Sequence, residues 1–374
     1  MRCKAAILVL AALVFAMGLP AAPKSVAAQA ILKLLNSRAA GNPREFAEAA
    51  EIVAKEAASG KALHQFVLAL VSRDRDAPPA ARLDEETRKK YLNASRDKIA
   101  ASAEKGNSMS MYLLSMANND VVLLKRAAEA GNVQAMNAWG TISMSQAFAN
   151  PSLAKEDVDR VLERSYAYFK DAADMGDANG LYNLGMCYVK GYAVEENIDR
   201  AFTHFKAAAQ LGHSEAINNI GGFYRDGLVV EKDPVIATKW FKRSSNMENP
   251  YGMLNYGLAL QRGEGIEKDE KKAVELFKRS AAAGCYEAMN AYGMCYYSGI
   301  GVKKDVCEAV KWFRASANGG FAPAMENIAE CYEIGAGGLE RDLNIGTVWR
   351  IRARAANGDR NAAAWLAQNG YTLR

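Results

Sequence analysis

The sequence predicts an all-α fold of stacked antiparallel helix pairs, an α-solenoid, on three observations. A pattern returns every 36 residues, its apolar positions keep helical spacing, and alternating β-branched runs are scarce in a chain rich in alanine with only 9 prolines. The glycine of "YNLGMCY" sets the register: Gly185, Gly221, Gly257 and Gly293 are 36 residues apart, with Ala329 in the next slot. Loop glycines recur in step at Gly191, Gly227, Gly263, Gly299 and Gly335.

The first half of each unit reads as a helix, here called A. For Ala288–Ser298 the apolar residues stand at −4, −1 and +3 from the reference glycine, as Met289, Tyr292 and Tyr296. A glycine inside a helix costs about 1 kcal/mol relative to alanine. Its return in four units therefore predicts a close approach of two helices that a larger side chain would block.

The stretch "SGIGVKKD" (Ser298–Asp305) has the glycines of a phosphate-cradling loop, but its recurrence in five units reads as a structural turn. Gly299 and Gly301 can take the positive φ needed to leave helix A, and Val302 can plug the hairpin. Asp305 is placed to cap the second helix, B, with Glu308 completing a capping box. The same cap recurs at Asn197, Asp233, Asp269 and, after one inserted residue, Asp342. Helix B carries a small residue (Ala201, Ala237, Ala273, Ala309) and an aromatic (Phe205, Phe241, Phe277, Phe313) on one face. A pair of this size cannot bury both faces alone, so neighbours must stack.

Upstream the pattern loosens. "AEAGNVQAMNAWG" and "AEKGNSMSMYLL" repeat the closing glycine and the start of helix A, and Phe46–Ser59 with Lys61–Val71 suggest a further pair. At the other end "AANGDRNAAAWLAQNG" offers a last helix A without a partner. The chain accordingly divides into a signal peptide (1–28), divergent N-terminal helical repeats (29–100), irregular repeats (101–175), five regular repeats (176–356) and a C-terminal capping helix (357–374).

The signal peptide is read from basic Arg2 and Lys4, an apolar run from Ala5 to Leu19, and small residues allowing cleavage after Ala27, Ala28 or Ala30. The expected location is periplasmic or secreted, with no membrane span in the mature chain, since a span needs roughly 20 apolar residues. Losing Arg2, Lys4 and Lys24 from 47 basic residues leaves near balance against 42 acidic ones, which gives no footprint for nucleic acid or an anionic membrane. Five cysteines would remain, an odd number. Cys187, Cys295 and Cys331 fall at +2 on helix A, where buried packing is expected, while Cys295 and Cys307 flank one hairpin joint and could bridge.

With "LG" in helix A, "GxGV" at the turn, an Asp cap and "WF" in helix B, the units resemble Sel-like repeats over about residues 100–370. The resemblance implies a right-handed α-superhelix that serves as an adaptor for protein partners; exported bacterial members are often periplasmic regulators, assembly factors or host-interaction proteins. A cysteine-rich branch of that family pairs cysteines in every repeat, and the spacing here does not match it.

If −4, −1 and +3 face the core, then −3, +1 and +4 lie on the opposite, concave side. The candidate partner-binding residues are Tyr182, Met186, Asn218, Arg225, Leu254, Leu258, Asn290, Met294, Tyr297, Glu326 and Glu330, with Met, Leu and Tyr as a groove for a peptide or helix. Glu326, Glu330 and Glu333 form an acidic end suited to a basic segment. These residues could instead be covered by curvature or another part of the chain. Asn183, Asn219, Asn255 and Asn327, at −2, are expected to satisfy backbone groups between adjacent units.

Enzyme signals are weak. His64, His204 and His213 share no metal-ligand spacing, His204 occupying the slot of Trp240 and Trp312, and no nucleophile elbow or P-loop occurs. No catalytic residue, metal or cofactor is assigned. The leading expectation is a non-catalytic scaffold of the bacterial envelope or exterior that binds a protein or peptide. A cell-envelope polysaccharide or peptidoglycan-handling enzyme or accessory protein is the alternative, and a spacer without a groove ligand is a third.

Overall fold

The computed structural model describes residues 26–39, 41–73 and 77–372. They form nineteen α-helices and one short 3₁₀ turn, with no strand among the described residues. The apolar run expected to belong to a signal peptide lies outside them. The chain divides into two compact units, residues 1–196 and 197–374.

The first unit holds α1 (Val26–Ala39), α2 (Pro43–Ala58), α3 (Ala62–Val71), α4 (Glu85–Glu104), α5 (Ser108–Asn118), α6 (Val121–Glu129), α7 (Val133–Ala149), α8 (Lys155–Asp174) and α9 (Ala178–Lys190). Consecutive helices pack as neighbours around an apolar cluster that runs from Ala30 to Met136. Helix α1 begins ahead of all three candidate cleavage points, and its Ala30, Ile31, Leu34 and Leu35 are buried. It packs on α2 and also reaches α9, and Asn36 accepts a hydrogen bond from Gln134 of α7. In α9, Tyr182 and Met186 are half-buried.

The second unit holds α10 (Ile198–Gln210), α11 (Ser214–Asp226), α12 (Pro234–Asn246), α13 (Pro250–Arg262), α14 (Glu270–Ala282), α15 (Tyr286–Ser298), α16 (Val306–Asn318), α17 (Ala322–Ile334), α18 (Leu343–Ala356) and α19 (Arg360–Gln368). The A helices are α11, α13, α15 and α17, each packed on the B helix that follows, and α19 packs on α18. Helix α15 starts two residues earlier than its predicted bound at Ala288, because Cys285 already takes the extended cap conformation. Of the named triad Tyr292 is buried, and Met289 and Tyr296 are half-buried against the same apolar cluster; Met253, Tyr256 and Leu260 of α13 are all 3% exposed or less.

The reference glycines meet the repeated phenylalanines. A Cβ on Gly221, Gly257 or Gly293 would stand 2.6, 2.6 and 2.8 Å from a ring carbon of Phe241, Phe277 and Phe313, closer than real Cβ atoms approach. The glycine column on helix A is therefore the socket for the aromatic knob on helix B.

The turn reading also holds. Gly299 and Gly301 have φ of 75° and 67°, and a Cβ on Gly301 would lie 2.4 Å from the Glu270 carbonyl of the preceding B helix. Where the second slot is not glycine, Ala193 and Val229 adopt left-handed backbone, at φ 59° and 66°. Asp233, Asp269, Asp305 and Asp342 each accept a backbone N–H at the start of their B helix. The reciprocal half of the capping box is not made. Glu308 instead accepts from Trp312 Nε1 at 3.0 Å and Lys311 Nζ at 2.8 Å, one turn onward.

Candidate docking face of the A helices

The nominated residues of the second unit lie on A helices whose neighbours are the A helices of adjacent pairs. Asn255 donates to Asn218 and Asn327 to Asn290, each at 2.8 Å; in the first unit Asn183 donates to Asn137 at 3.1 Å. Position −2 of one A helix therefore satisfies position −3 of the preceding one. The expected partner was backbone; the observed one is a side-chain amide, because helical backbone groups are already spent within the helix. The same slots between α13 and α15 hold Leu254 and Ala291, which join one apolar cluster.

That pairing corrects the nomination of Leu254. At 7% exposure it is core rather than groove, buried where its neighbours carry amides. The acidic end is corrected too. Arg350 of α18 donates to Glu326 at 2.6 Å and to both oxygens of Glu333 at 2.8 Å, and Tyr297 donates to Glu330 at 3.3 Å. The sequence placed the acids but not the base, which stands one B helix later. Arg225 is likewise engaged, with both oxygens of Asp226 at 2.8 Å.

What remains on this face is apolar. Met294 is 37% exposed, and Leu258 and Tyr297 are half-buried. Beside Leu258 a cleft of about 340 Å³, counting its open mouth, is framed by Arg225 and Arg262 above Ala237 and Phe241. Shape, apolar contact and guanidinium hydrogen bonds are what it can offer a ligand.

The five described cysteines are unpaired, and Cys295 and Cys307 do not bridge. Cys187, Cys295 and Cys331 are at most 1% exposed. Burial pushes their thiols up to about 12, 11 and 11, which removes them as nucleophiles. His204 is half-buried, and burial lowers its pKa. Among the described residues no group of three His, Cys, Asp or Glu side chains could hold a metal ion.

Two kinds of contact escaped the sequence reading. His213 caps α11, its Nδ1 accepting the Ala216 N–H at 3.4 Å. Ser244, Ser280 and Ser316, each fully buried, donate to the carbonyls of Ser214, Pro250 and Tyr286, tying each B helix to the first residue of its A helix. The serine column keeps the same 36-residue spacing and was there to be found; the histidine stands in a variable column that runs Asp177, His213, Asn249, Cys285 and Phe321, of which the last two make no side-chain cap.

These features define a helical-hairpin repeat protein in which glycine sockets, turn glycines and Asp caps are built once per unit. The chain belongs to the Sel1 repeat family, whose profile matches residues 145–177, 178–213, 214–249, 250–285, 287–321 and 322–353. The matched stretch thus starts one unit ahead of the five regular repeats. Proteins of this family are generally non-catalytic scaffolds for protein interaction. Among solved structures, the chain is similar to a Sel1 repeat protein from Oxalobacter formigenes, at 24% identity and a TM-score of 0.55, over 65% of this chain and 95% of that one. It is also similar to a protective antigen of uropathogenic Escherichia coli with the same repeat fold, at 25% identity and a TM-score of 0.49, over 85% of this chain and 66% of that one. An immunity protein from Pseudomonas aeruginosa matches at 16% identity and a TM-score of 0.41, over 59% of this chain and 83% of that one. Among curated proteins no relative matches the chain. No helix among the described residues is long and apolar enough to cross a membrane.

Proposed function

We propose that this chain is exported to the periplasm or beyond and acts there as a non-catalytic scaffold, holding a segment of a protein partner on the A-helix face of its second unit. The observation that carries the reading is the exposed Met294 with half-buried Leu258 and Tyr297 on a face whose polar side chains already bond within the chain. A partner gains by covering these side chains without having to strip water from unpaired polar groups. Arg225 and Arg262 at the cleft give the segment an orientation.

Site-specific photo-crosslinking from positions 258 and 294 in the native compartment tests the face, with exposed Glu275 on the B-helix side as control. One discrete adduct from 258 and 294 but not from 275 is expected; equal labelling from both sides removes the reading. Export is tested by the mass of the mature N-terminus. Cleavage after Ala30 discards a residue only 3% exposed, so a terminus at Ala28 or Gln29 is expected. A full-length chain recovered from the cytoplasm refutes export.

A further inference from the structure

The first unit contains a second cavity, about 500 Å³ counting its mouth, between α3, α4 and α5. Its floor is apolar: Phe66, Leu70 and Leu114 are 1%, 7% and 8% exposed. Its rim carries two guanidinium groups, Arg73 at the end of α3 and Arg96 on α4, with the side-chain amides of Asn93 and Asn118. All four rim residues are exposed. Among the described residues no carboxylate stands within ion-pair range of either arginine.

Two like charges at one mouth repel each other, and an anion seated between them converts that repulsion into attraction. Guanidinium forks match a carboxylate with paired hydrogen bonds. The floor gives an apolar group attached to the anion Phe66, Leu70 and Leu114 to pack against.

We propose that this cavity binds a compact apolar carboxylate, its carboxylate held between Arg73 and Arg96 and its apolar body on the Phe66, Leu70 and Leu114 floor. Two sources supply that chemistry: the free carboxyl end of a peptide that closes on an apolar residue, and a medium-chain fatty acid. Asn93 and Asn118 can pair with the amide of a peptide end, and a fatty acid has no group to meet them. The site is separate from the A-helix face of the second unit and does not rest on the function proposed for it.

The test uses the full chain and fluorescence anisotropy of dansyl-Gly-Gly-Leu with a free carboxylate. The expected result is saturable binding that weakens at least about tenfold when the terminal carboxylate is converted to the amide, and again in Arg73→Gln and in Arg96→Gln. Both arginines are exposed, so the variants should keep the wild-type helical circular dichroism, and Leu258→Glu should leave the binding unchanged. Competition by octanoate distinguishes the sources: displacement weaker than by N-acetyl-leucine supports the peptide end, and stronger displacement supports the fatty acid. No saturable binding, or equal binding of acid and amide, overturns the site. So does wild-type affinity in both arginine variants.

Discussion

Arg350 bridges Glu326 and Glu333 from the helix position that Phe241, Phe277 and Phe313 occupy in the preceding pairs, counted from the Asp cap. In that last pair the socket glycine is Ala329, the small residue of helix B is Gly346, and a charged fork replaces the aromatic knob. Arg350→Ala should lower stability by about 1 kcal/mol, the scale of an exposed ion-pair network, and the loss should shrink in high salt. Urea unfolding at low and high salt measures it, and a salt-independent loss would show that packing dominates.

Gly257→Ala sets two effects against each other. Helix propensity favours alanine by about 1 kcal/mol, while the new Cβ would stand 2.6 Å from a ring carbon of Phe277. Overpacking a tight contact costs typically about 1–3 kcal/mol, so the net change should be destabilising. Phe277→Leu in the same chain should recover part of it, and a double-mutant cycle from denaturant midpoints reads the coupling. Additive effects would separate the glycine from the aromatic.

His213 makes stability pH-dependent. It is 3% exposed, and burial pulls its pKa down to about 4 from an ordinary 6.5. Between those values the unfolded chain binds the proton and the folded chain does not, so stability is full above pH 6.5 and falls as pH drops toward 4. The loss is at most about 3 kcal/mol, reduced by Glu215, whose carboxylate lies 3.3 Å from Nδ1. His213→Asn, which keeps an acceptor like that of Asn249, should flatten this part of the stability profile in denaturant melts. An unchanged slope would assign the pH dependence to other groups.

Leu258→Glu combined with Met294→Glu should abolish partner capture while moving stability by no more than about 0.5 kcal/mol, because neither side chain is fully buried. Co-purification from the native compartment, alongside thermal unfolding, measures both. Retained capture by a stably folded variant would remove this face as the docking site.

Much of the architecture was readable without coordinates, since the signals are local and recur. A glycine in mid-helix, two glycines at a turn and an aspartate before an amphipathic run each have one cheap structural explanation, and repetition in register removes the others. The face was less readable. Helical periodicity put Leu254 opposite the core triad, yet the next A helix covers it. It also put three acids in a row, yet Arg350, 17 residues beyond Glu333, closes on two of them.

The sequence by itself determined the repeat, its two helices, their caps and turns, and the knob-and-socket columns, because each depends on backbone chemistry within a few residues or on strict spacing. Only the tertiary structure decided which polar side chains are already satisfied and which apolar ones stay exposed. Those outcomes depend on distances between helices that the chain order leaves open, and a single long side chain such as Arg350 can reverse them.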